Sequence, residues 1–119
     1  MRAIKTIQWL AMATILAIVA GCSQGEPVTA WKMINDGALL VDVRTPGEFK
    51  QGHLPGAKLI PVSEVESRLA EFGEDKSKPI VVYCKSGMRS GKAEGILREK
   101  GYTNVLNGGG YSALMSSKP

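Results

Sequence analysis

Two apolar segments of strand length most constrain what this chain can fold into. Residues 38–41 are unbroken by a polar side chain until Asp42, and residues 79–83 run without a charge into Cys84. Strands that are apolar at every position, and not only at alternate ones, are typical of parallel sheets covered on both faces. The pattern predicts a layered α/β domain in which Asp42 and Cys84 stand at the carboxyl ends of strands.

Weaker signals fill in the remaining elements between these two strands and around them. Shorter strands are predicted at residues 58–60 and 104–106, with a faint first strand at Val28. Four helices are predicted, at 29–36, Pro46–Lys50, 63–72 and 90–100. Thr45 and Ser63 cap the starts of the second and third, and glycines mark where helices end. Residues 108–110, all glycine, are predicted to form a tight loop. Alternating strands and helices indicate one domain, with a mostly parallel central sheet and helices on both faces.

The amino terminus has the layout of an export signal. Arg2 and Lys5 precede an almost wholly apolar stretch, residues 7–20, which is shorter than the ~20 residues that a membrane-crossing helix needs. Residues 19–22, Val-Ala-Gly-Cys, resemble the lipobox of bacterial lipoproteins, which implies a lipidated Cys22 as the mature amino terminus. The alternatives are a plain signal peptide and a short membrane anchor with an incidental cysteine.

This interpretation divides the chain into three parts. Residues 1–21 are the predicted signal peptide, 22–27 a lipidated tether and 28–119 the domain. The resemblance implies a protein held on a bacterial membrane and facing the periplasm, and Ser23 after the cysteine favours the outer membrane. Loss of residues 1–21 removes two cations and no acid, which lowers the net charge from +4 to about +2. The basic composition therefore does not indicate a nucleic-acid partner.

The loop after the second apolar strand is the strongest candidate for chemistry. Cys84 is followed by Lys85, Ser86, Gly87, Met88 and Arg89, after which the predicted helix begins. Backbone amides in a short loop at a helix start can converge on one point and stabilise a thiolate or a bound anion. With Cys22 acylated, Cys84 is an unpaired and activated thiol, although a small buried core residue is the structural alternative. One His and one unpaired Cys are too few for a metal site.

Several blocks of the sequence together resemble the rhodanese family. These blocks are Asp42-Val43-Arg44, Glu48-Phe49, residues 52–57 (Gly-His-Leu-Pro-Gly-Ala), Ile60-Pro61 and Cys84-x-x-Gly87-x-Arg89-Ser90. The resemblance covers residues 39–110. It implies a sulfurtransferase without a cofactor, in which Cys84 takes sulfur from thiosulfate as a persulfide and passes it to cyanide or a thiol. The partners would be small donors and acceptors, and a protein could be the acceptor.

The residues around the cysteine have structural alternatives. Residues 85–89 are the predicted substrate-binding loop, but Lys85 could be a solvated surface lysine. Arg89 could instead pair with Asp42 or Glu48 to brace the loop.

Three further charged residues and one histidine are assigned to structural support. Asp42, Arg44 and Glu48 are interpreted as scaffold ion pairs and not as acids or bases, since an ionised thiolate needs little proton transfer. His53 is assigned a structural hydrogen bond in its turn, although a Cys–His catalytic pair is the alternative.

Two rival functions and one departure remain open. A related phosphatase or arsenate reductase would place five residues between Cys and Arg, whereas four stand here. The other rival is a binding or thiol-sensing module without catalysis. The family commonly has a tryptophan where Leu114 stands, so the core near the carboxyl end could be looser.

Overall fold

The computed structural model describes residues 26–119, so the predicted signal segment and the predicted lipidation at Cys22 lie outside the described residues. Within them, four parallel strands form one sheet in the order β2-β1-β3-β4. The strands are β1 (Leu39–Asp42), β2 (Lys58–Leu59), β3 (Ile80–Cys84) and β4 (Val105–Gly110). The prediction of an α/β domain with a parallel sheet is confirmed.

Helices cover both faces of this sheet. They are α1 (Pro27–Asn35), α2 (Pro46–Lys50), α3 (Met88–Glu99) and α4 (Tyr111–Ser116), with 3₁₀ segments at Val62–Glu64 and Glu66–Phe72. All five residues of β3 are buried, and its side chains alternate between two cores. Val82 packs with α3 and the 3₁₀ segments, whereas Val81 packs with α1 and α4. Because β3 is apolar on both sides, only an interior position in the sheet buries it fully.

The expectation of a first strand at Val28 is wrong. Val28 lies in the first turn of α1 and is 81% exposed. Pro27 occupies the first helical turn, where its fixed φ and missing N–H suit a helix start. A single apolar residue, Val28, was therefore not enough to predict a strand.

The expected capped helix at 63–72 is also wrong in type. Two 3₁₀ segments replace it, Pro61 precedes the first without a side-chain cap, and Arg68 has non-helical backbone angles. The Arg68 guanidinium instead bonds the Leu59 carbonyl and the carboxylates of Glu64 and Glu71. The bond to Leu59, which lies outside the segment, together with burial of Phe72, overrides the local helical preference.

The glycines at 108–110 are not a loop but the end of β4. The register with β3 shifts so that Val82 faces Asn107 and Tyr83 faces Gly109, which leaves Gly108 as a bulge. A Cβ on Gly108 would lie 3.1 Å from Val81 Cγ1, so the lack of a side chain permits close packing there. Helix α4 follows directly and had no counterpart among the predicted elements.

Leu114 on α4 is fully buried, so the core at the position of the expected tryptophan is closed. The Trp31 indole of α1 donates a 2.9 Å hydrogen bond to the Leu114 carbonyl and ties the two helices together. Across residues 26–119, no helix combines the length and the apolar character that crossing a bilayer requires.

Candidate active site

The Cys84 loop lies at the carboxyl end of β3, at the edge where parallel sheets place their ligands. Cys84 is the last residue of the strand, and α3 begins at Met88, two residues earlier than predicted. Gly87 adopts a left-handed conformation with φ of 97°, which turns the chain from strand to helix. The loop is therefore short enough for its amides to surround the sulfur.

The sulfur of Cys84 is held by donors from the loop and from α3. The Gly87 amide donates to it at 3.0 Å, and the Ser90 hydroxyl lies 3.4 Å away. Burial raises the pKa of the Cys84 thiol, but the Ser90 hydroxyl and the surrounding backbone amides outweigh this, so the pKa lies below its ordinary value. Hydrogen bonds to the charged form thus favour a thiolate even though the side chain is fully buried.

The glycines at the end of β4 form the surface on which this loop rests. A Cβ on Gly110 would lie 2.5 Å from the Lys85 carbonyl oxygen, and a Cβ on Gly87 would meet Gly109 Cα at 3.5 Å. Backbone therefore packs on backbone. A side chain at position 110 would displace the loop that carries the amides.

Arg89 braces the loop against α2. Its guanidinium makes a two-pronged ion pair with the Glu48 carboxylate, at 2.7 and 3.0 Å. Glu48 also accepts the Thr45 amide and completes a capping box at the start of α2. The Arg89 hydrogen bonds, followed by that of Thr45, lower the pKa of Glu48 to about 2. The Glu48 carboxylate occupies the Nη1–Nη2 edge of Arg89, so this edge does not face a substrate anion in this conformation.

Asp42 and Arg44 form a second, buried ion pair beside the loop. The Arg44 guanidinium contacts Asp42 at 2.6 Å, donates to the Gly52 carbonyl at 2.7 Å and lies 4.6 Å from the centre of the Tyr111 ring. Through the bond from Arg44 to Gly52, the pair secures the end of β1 to the turn before β2. Its geometry suits a scaffold role and not proton transfer.

His53 is exposed and bonded within its own turn. Its Nδ1 lies 2.9 Å from the Phe49 carbonyl oxygen, and its ring stacks on that of Phe49 at 3.6 Å. This is the structural hydrogen bond expected for His53. The Cys84 sulfur is bonded by Gly87 and Ser90 and not by His53.

The remaining loop residues line the approach to the site. Lys85, Ser86 and Met88 are exposed, Met88 by 81%. A polar cleft of about 230 Å³ lies beside Lys85, and its other walls come from α2, the turn after it and the start of α4. A larger cavity, about 570 Å³, opens at the amino ends of β1 and β3 and thus away from Cys84. Within residues 26–119, no cluster of three or more His, Cys, Asp or Glu could hold a metal ion.

Two site residues were missed from the sequence. Ser90, quoted above only as part of a motif, contacts Cys84, and its hydroxyl donates to Asn107 Oδ1 at 2.7 Å. The Asn107 Nδ2 group donates to the Gly87 carbonyl at 3.0 Å. The signal for Asn107 was weak, since it was a single asparagine directly after a predicted strand.

Comparison with known proteins gives a consistent result. The profile of the rhodanese-like domain matches residues 26–116. The thiosulfate sulfurtransferase PspE of Escherichia coli is 44% identical over 78 residues, which is 66% of this chain and 75% of that protein.

Two solved structures resemble the fold as well as the sequence. A structure described as rhodanese with anions, from E. coli, is 43% identical with a TM-score of 0.61, covering 64% of this chain and 89% of that one. The human single-domain sulfurtransferase TSTD1 is 30% identical with a TM-score of 0.68, covering 82% and 97%.

Proposed function

The chain belongs to the rhodanese-like domain family, and from this premise we propose that it moves sulfane sulfur from thiosulfate to a thiophilic acceptor through a persulfide on Cys84. It is an enzyme of the sulfurtransferase type, like the E. coli and human relatives described above. The observation that carries the mechanism is the set of donors aimed at one buried sulfur, Gly87 N–H at 3.0 Å foremost.

In the first step the Cys84 thiolate attacks the outer sulfur of thiosulfate. A new S–S bond forms to Cys84, the S–S bond within thiosulfate breaks, and its electron pair leaves with sulfite. The negative charge passes from Cys84 Sγ to the terminal sulfur of the persulfide. Backbone amides of residues 86 and 87, which bond the Cys84 sulfur, are well placed to stabilise that charge.

In the second step the acceptor attacks the terminal sulfur. With cyanide, a C–S bond forms, thiocyanate leaves, and the electron pair of the broken S–S bond restores the Cys84 thiolate. With a thiolate acceptor the product is the acceptor's persulfide. Charge and sulfur balance in both cases, and no metal or redox cofactor takes part.

Burial of Cys84 limits what can reach it. The sulfur is covered in this conformation, while Lys85 and Ser86 beside it are exposed. A donor therefore reaches the sulfur only when this segment of the loop moves. Lys85 attracts the anion, the loop amides bind it, and Arg89, held by Glu48, anchors the end of the loop that leads into α3. Met88, which is 81% exposed on the same loop, offers an apolar contact to an acceptor.

A binding module without catalysis is the second candidate, since complete burial of Cys84 suits an unreactive core residue. The hydrogen bonds to the sulfur argue against it, because burial alone would raise the thiol pKa and they lower it. A phosphatase is disfavoured because Arg89, the candidate oxyanion ligand, is engaged by Glu48.

The test uses the full chain with Cys22→Ser, so that Cys84 is its sole thiol. Thiosulfate treatment should add one sulfur atom to the intact mass, cyanide should remove it, and thiocyanate should be released with turnover. The variant that also carries Cys84→Ser should do neither. No adduct and no turnover would favour the binding module, and hydrolysis of a phosphate ester dependent on Cys84 would favour the phosphatase.

We also propose that Cys22 is lipidated and holds the enzyme on a bacterial membrane facing the periplasm, in the outer membrane where Ser23 acts as the sorting residue. The support is the order of charged, apolar and small residues before Cys22. Metabolic labelling with an alkyne fatty acid in a bacterial host should mark the wild-type chain and not Cys22→Ala. Unlabelled, processed wild-type protein would indicate a plain signal peptide. Unlabelled protein that is unprocessed and in the membrane would indicate an uncleaved anchor.

A further inference from the structure

The Ser90 hydroxyl stands between two acceptors and has one proton to donate. Asn107 Oδ1 lies 2.7 Å from Ser90 Oγ, and Cys84 Sγ lies 3.4 Å from it on the other side. A hydroxyl can accept further bonds but donates only one. Ser90 therefore donates either to Asn107 or to the sulfur.

The orientation of the Asn107 amide is determined by its other partners. The Gly109 N–H donates to Oδ1 at 2.9 Å, and Nδ2 donates to the Gly87 carbonyl at 3.0 Å. Exchanging the amide oxygen and nitrogen would place a donor against an N–H and an acceptor against a carbonyl. The oxygen therefore faces Ser90, and the Gly109 bond keeps it satisfied when Ser90 turns away.

We propose that Asn107 is a positioning residue that offers the Ser90 hydroxyl an alternative acceptor, so that the hydroxyl turns to Cys84 Sγ only while that sulfur carries negative charge. This rests on the proposed function and assigns one residue pair to both halves of its cycle. Asn107 competes with the thiolate for a single proton and so sets how reactive the resting cysteine is.

The charge on the sulfur changes during each half-reaction. In the thiolate state Ser90 donates to Sγ, because a charged acceptor makes the stronger hydrogen bond. When the persulfide forms, Sγ becomes a neutral divalent sulfur and the charge moves to the terminal sulfur. Ser90 then returns to Asn107 Oδ1 while the loop amides hold the charge. Since Ser90 is fully buried, the alternative acceptor prevents an unsatisfied hydroxyl in the persulfide state.

The charged groups near Cys84 keep the same partners in the thiolate state and in the persulfide state. Arg89 on α3 is paired with Glu48 of α2, Lys85 in the loop is exposed, and Arg44 is paired with Asp42 at the end of β1. The side chains of Ser90 and Asn107 instead form hydrogen bonds with each other, with Cys84 and with the backbone of Gly87 and Gly109. Variants of this pair therefore leave the ion pairs in place.

The test is a double-mutant cycle on the pKa of Cys84, measured in the full chain with Cys22→Ser from the pH dependence of alkylation by iodoacetamide, without thiosulfate. Ser90→Ala should raise the pKa by about one pH unit, the worth of one hydrogen bond to the charged form. Asn107→Leu should lower it, because Ser90 then has only the sulfur as acceptor. In the Ser90→Ala background, Asn107→Leu should no longer lower it. Asn104→Leu, the same change immediately before β4, is the matched control and should leave the pKa unchanged.

The opposite result has a clear meaning. A higher pKa in Asn107→Leu, or the same shift with and without Ser90, would overturn the proposal and reduce Asn107 to a support for the loop. Asn107→Asp provides a second arm if the leucine variant does not fold. An aspartate can still accept from the Ser90 hydroxyl and the Gly109 amide. The change it causes in the Cys84 pKa should be larger in the chain that has Ser90 than in the Ser90→Ala background, and equal changes would overturn the proposal. Failure of persulfide formation in the parent would refute the proposed function while this pKa cycle still gives its own answer.

Discussion

The proposed chemistry of Cys84 depends on glycines whose surroundings leave no room for a larger side chain. Cys84 is activated by amides that reach it only because Gly87 turns the chain and Gly110 lets the loop approach β4. The hydrogen bonds that lower the thiol pKa are short-range, so a displacement well under the size of a side chain removes them.

Gly110→Ala should reduce turnover strongly while leaving the fold in place. The added Cβ would lie 2.5 Å from the Lys85 carbonyl oxygen, so the loop must shift. We expect the rate of sulfur transfer to fall by at least ~100-fold, because misplacing groups near a reacting atom by about 1 Å has effects of that size. Steady-state assays and a thermal melt test this.

Gly95→Ala is the matched control for this substitution. Gly95 is exposed on α3, and an added Cβ would meet nothing within 4 Å. Activity should be unchanged and stability should rise by about 0.5–1 kcal/mol, since alanine favours a helix. If Gly110→Ala behaves in the same way, the loop does not need the close approach.

At the scale of elements, the structure joins the starts of two helices. The capping box of α2 and the ion pair to α3 share one carboxylate, that of Glu48. The loop between β3 and α3 is therefore braced by an element more than thirty residues earlier in the chain. The outer edge of β4 is secured as well, since the Arg98 guanidinium bonds the Val105 carbonyl.

Glu48→Gln should weaken this brace in a pH-dependent way. The pKa of Glu48 is lowered from 4.5 to about 2, chiefly by the Arg89 hydrogen bonds. A lowered carboxyl pKa contributes stability that is fully present above pH 4.5 and is lost as the pH falls towards 2. Glutamine can still serve in a capping box, so the difference isolates the charge. At pH 7 we expect a loss of about 1 kcal/mol, after allowing for solvent screening of these half-exposed groups.

Denaturant unfolding at pH 7 and at pH 2.5 measures this difference, which should be clearly smaller in acid. Glu94→Gln is the control, because it removes an exposed ion pair with Arg98 within α3. A Glu48→Gln penalty that is equal at both pH values would show that the ion pair contributes no stability.

At the scale of the whole molecule, two hydrophobic cores enclose one sheet, and the site depends on both. Cys84 belongs to the core beneath α3, whereas the glycines that receive its loop lead into α4, which closes the other core through Leu114. Stability on one face is thereby linked to geometry at the site.

Leu114→Ala should destabilise the domain strongly. Leu114 is fully buried, and removing three carbon atoms from a packed core costs about 2–5 kcal/mol. Met115→Ala on the same helix, where the side chain is 41% exposed, should change stability by less than about 1 kcal/mol. Chemical denaturation of both variants decides the matter, and equal effects would mean that α4 does not seal this core.

The sequence by itself determined the elements whose signals are local. The apolar strands, the proline and threonine that begin α2 and the glycine stops could be predicted, and with them the position of Cys84 at a strand end. Apolar periodicity and caps act over a few residues, so a pattern in the chain is enough to reveal them.

Only the tertiary structure decided the features that depend on distant partners. Arg68 turned a predicted helix into 3₁₀ segments by bonding Leu59, and the register of β3 made a strand of the three glycines. The partner of Arg89 was left open between two acids, and Asn107 and Ser90 came together across 17 residues. Such contacts arise when the sheet brings separate segments to one edge, and no local pattern in the chain encodes which of them will meet.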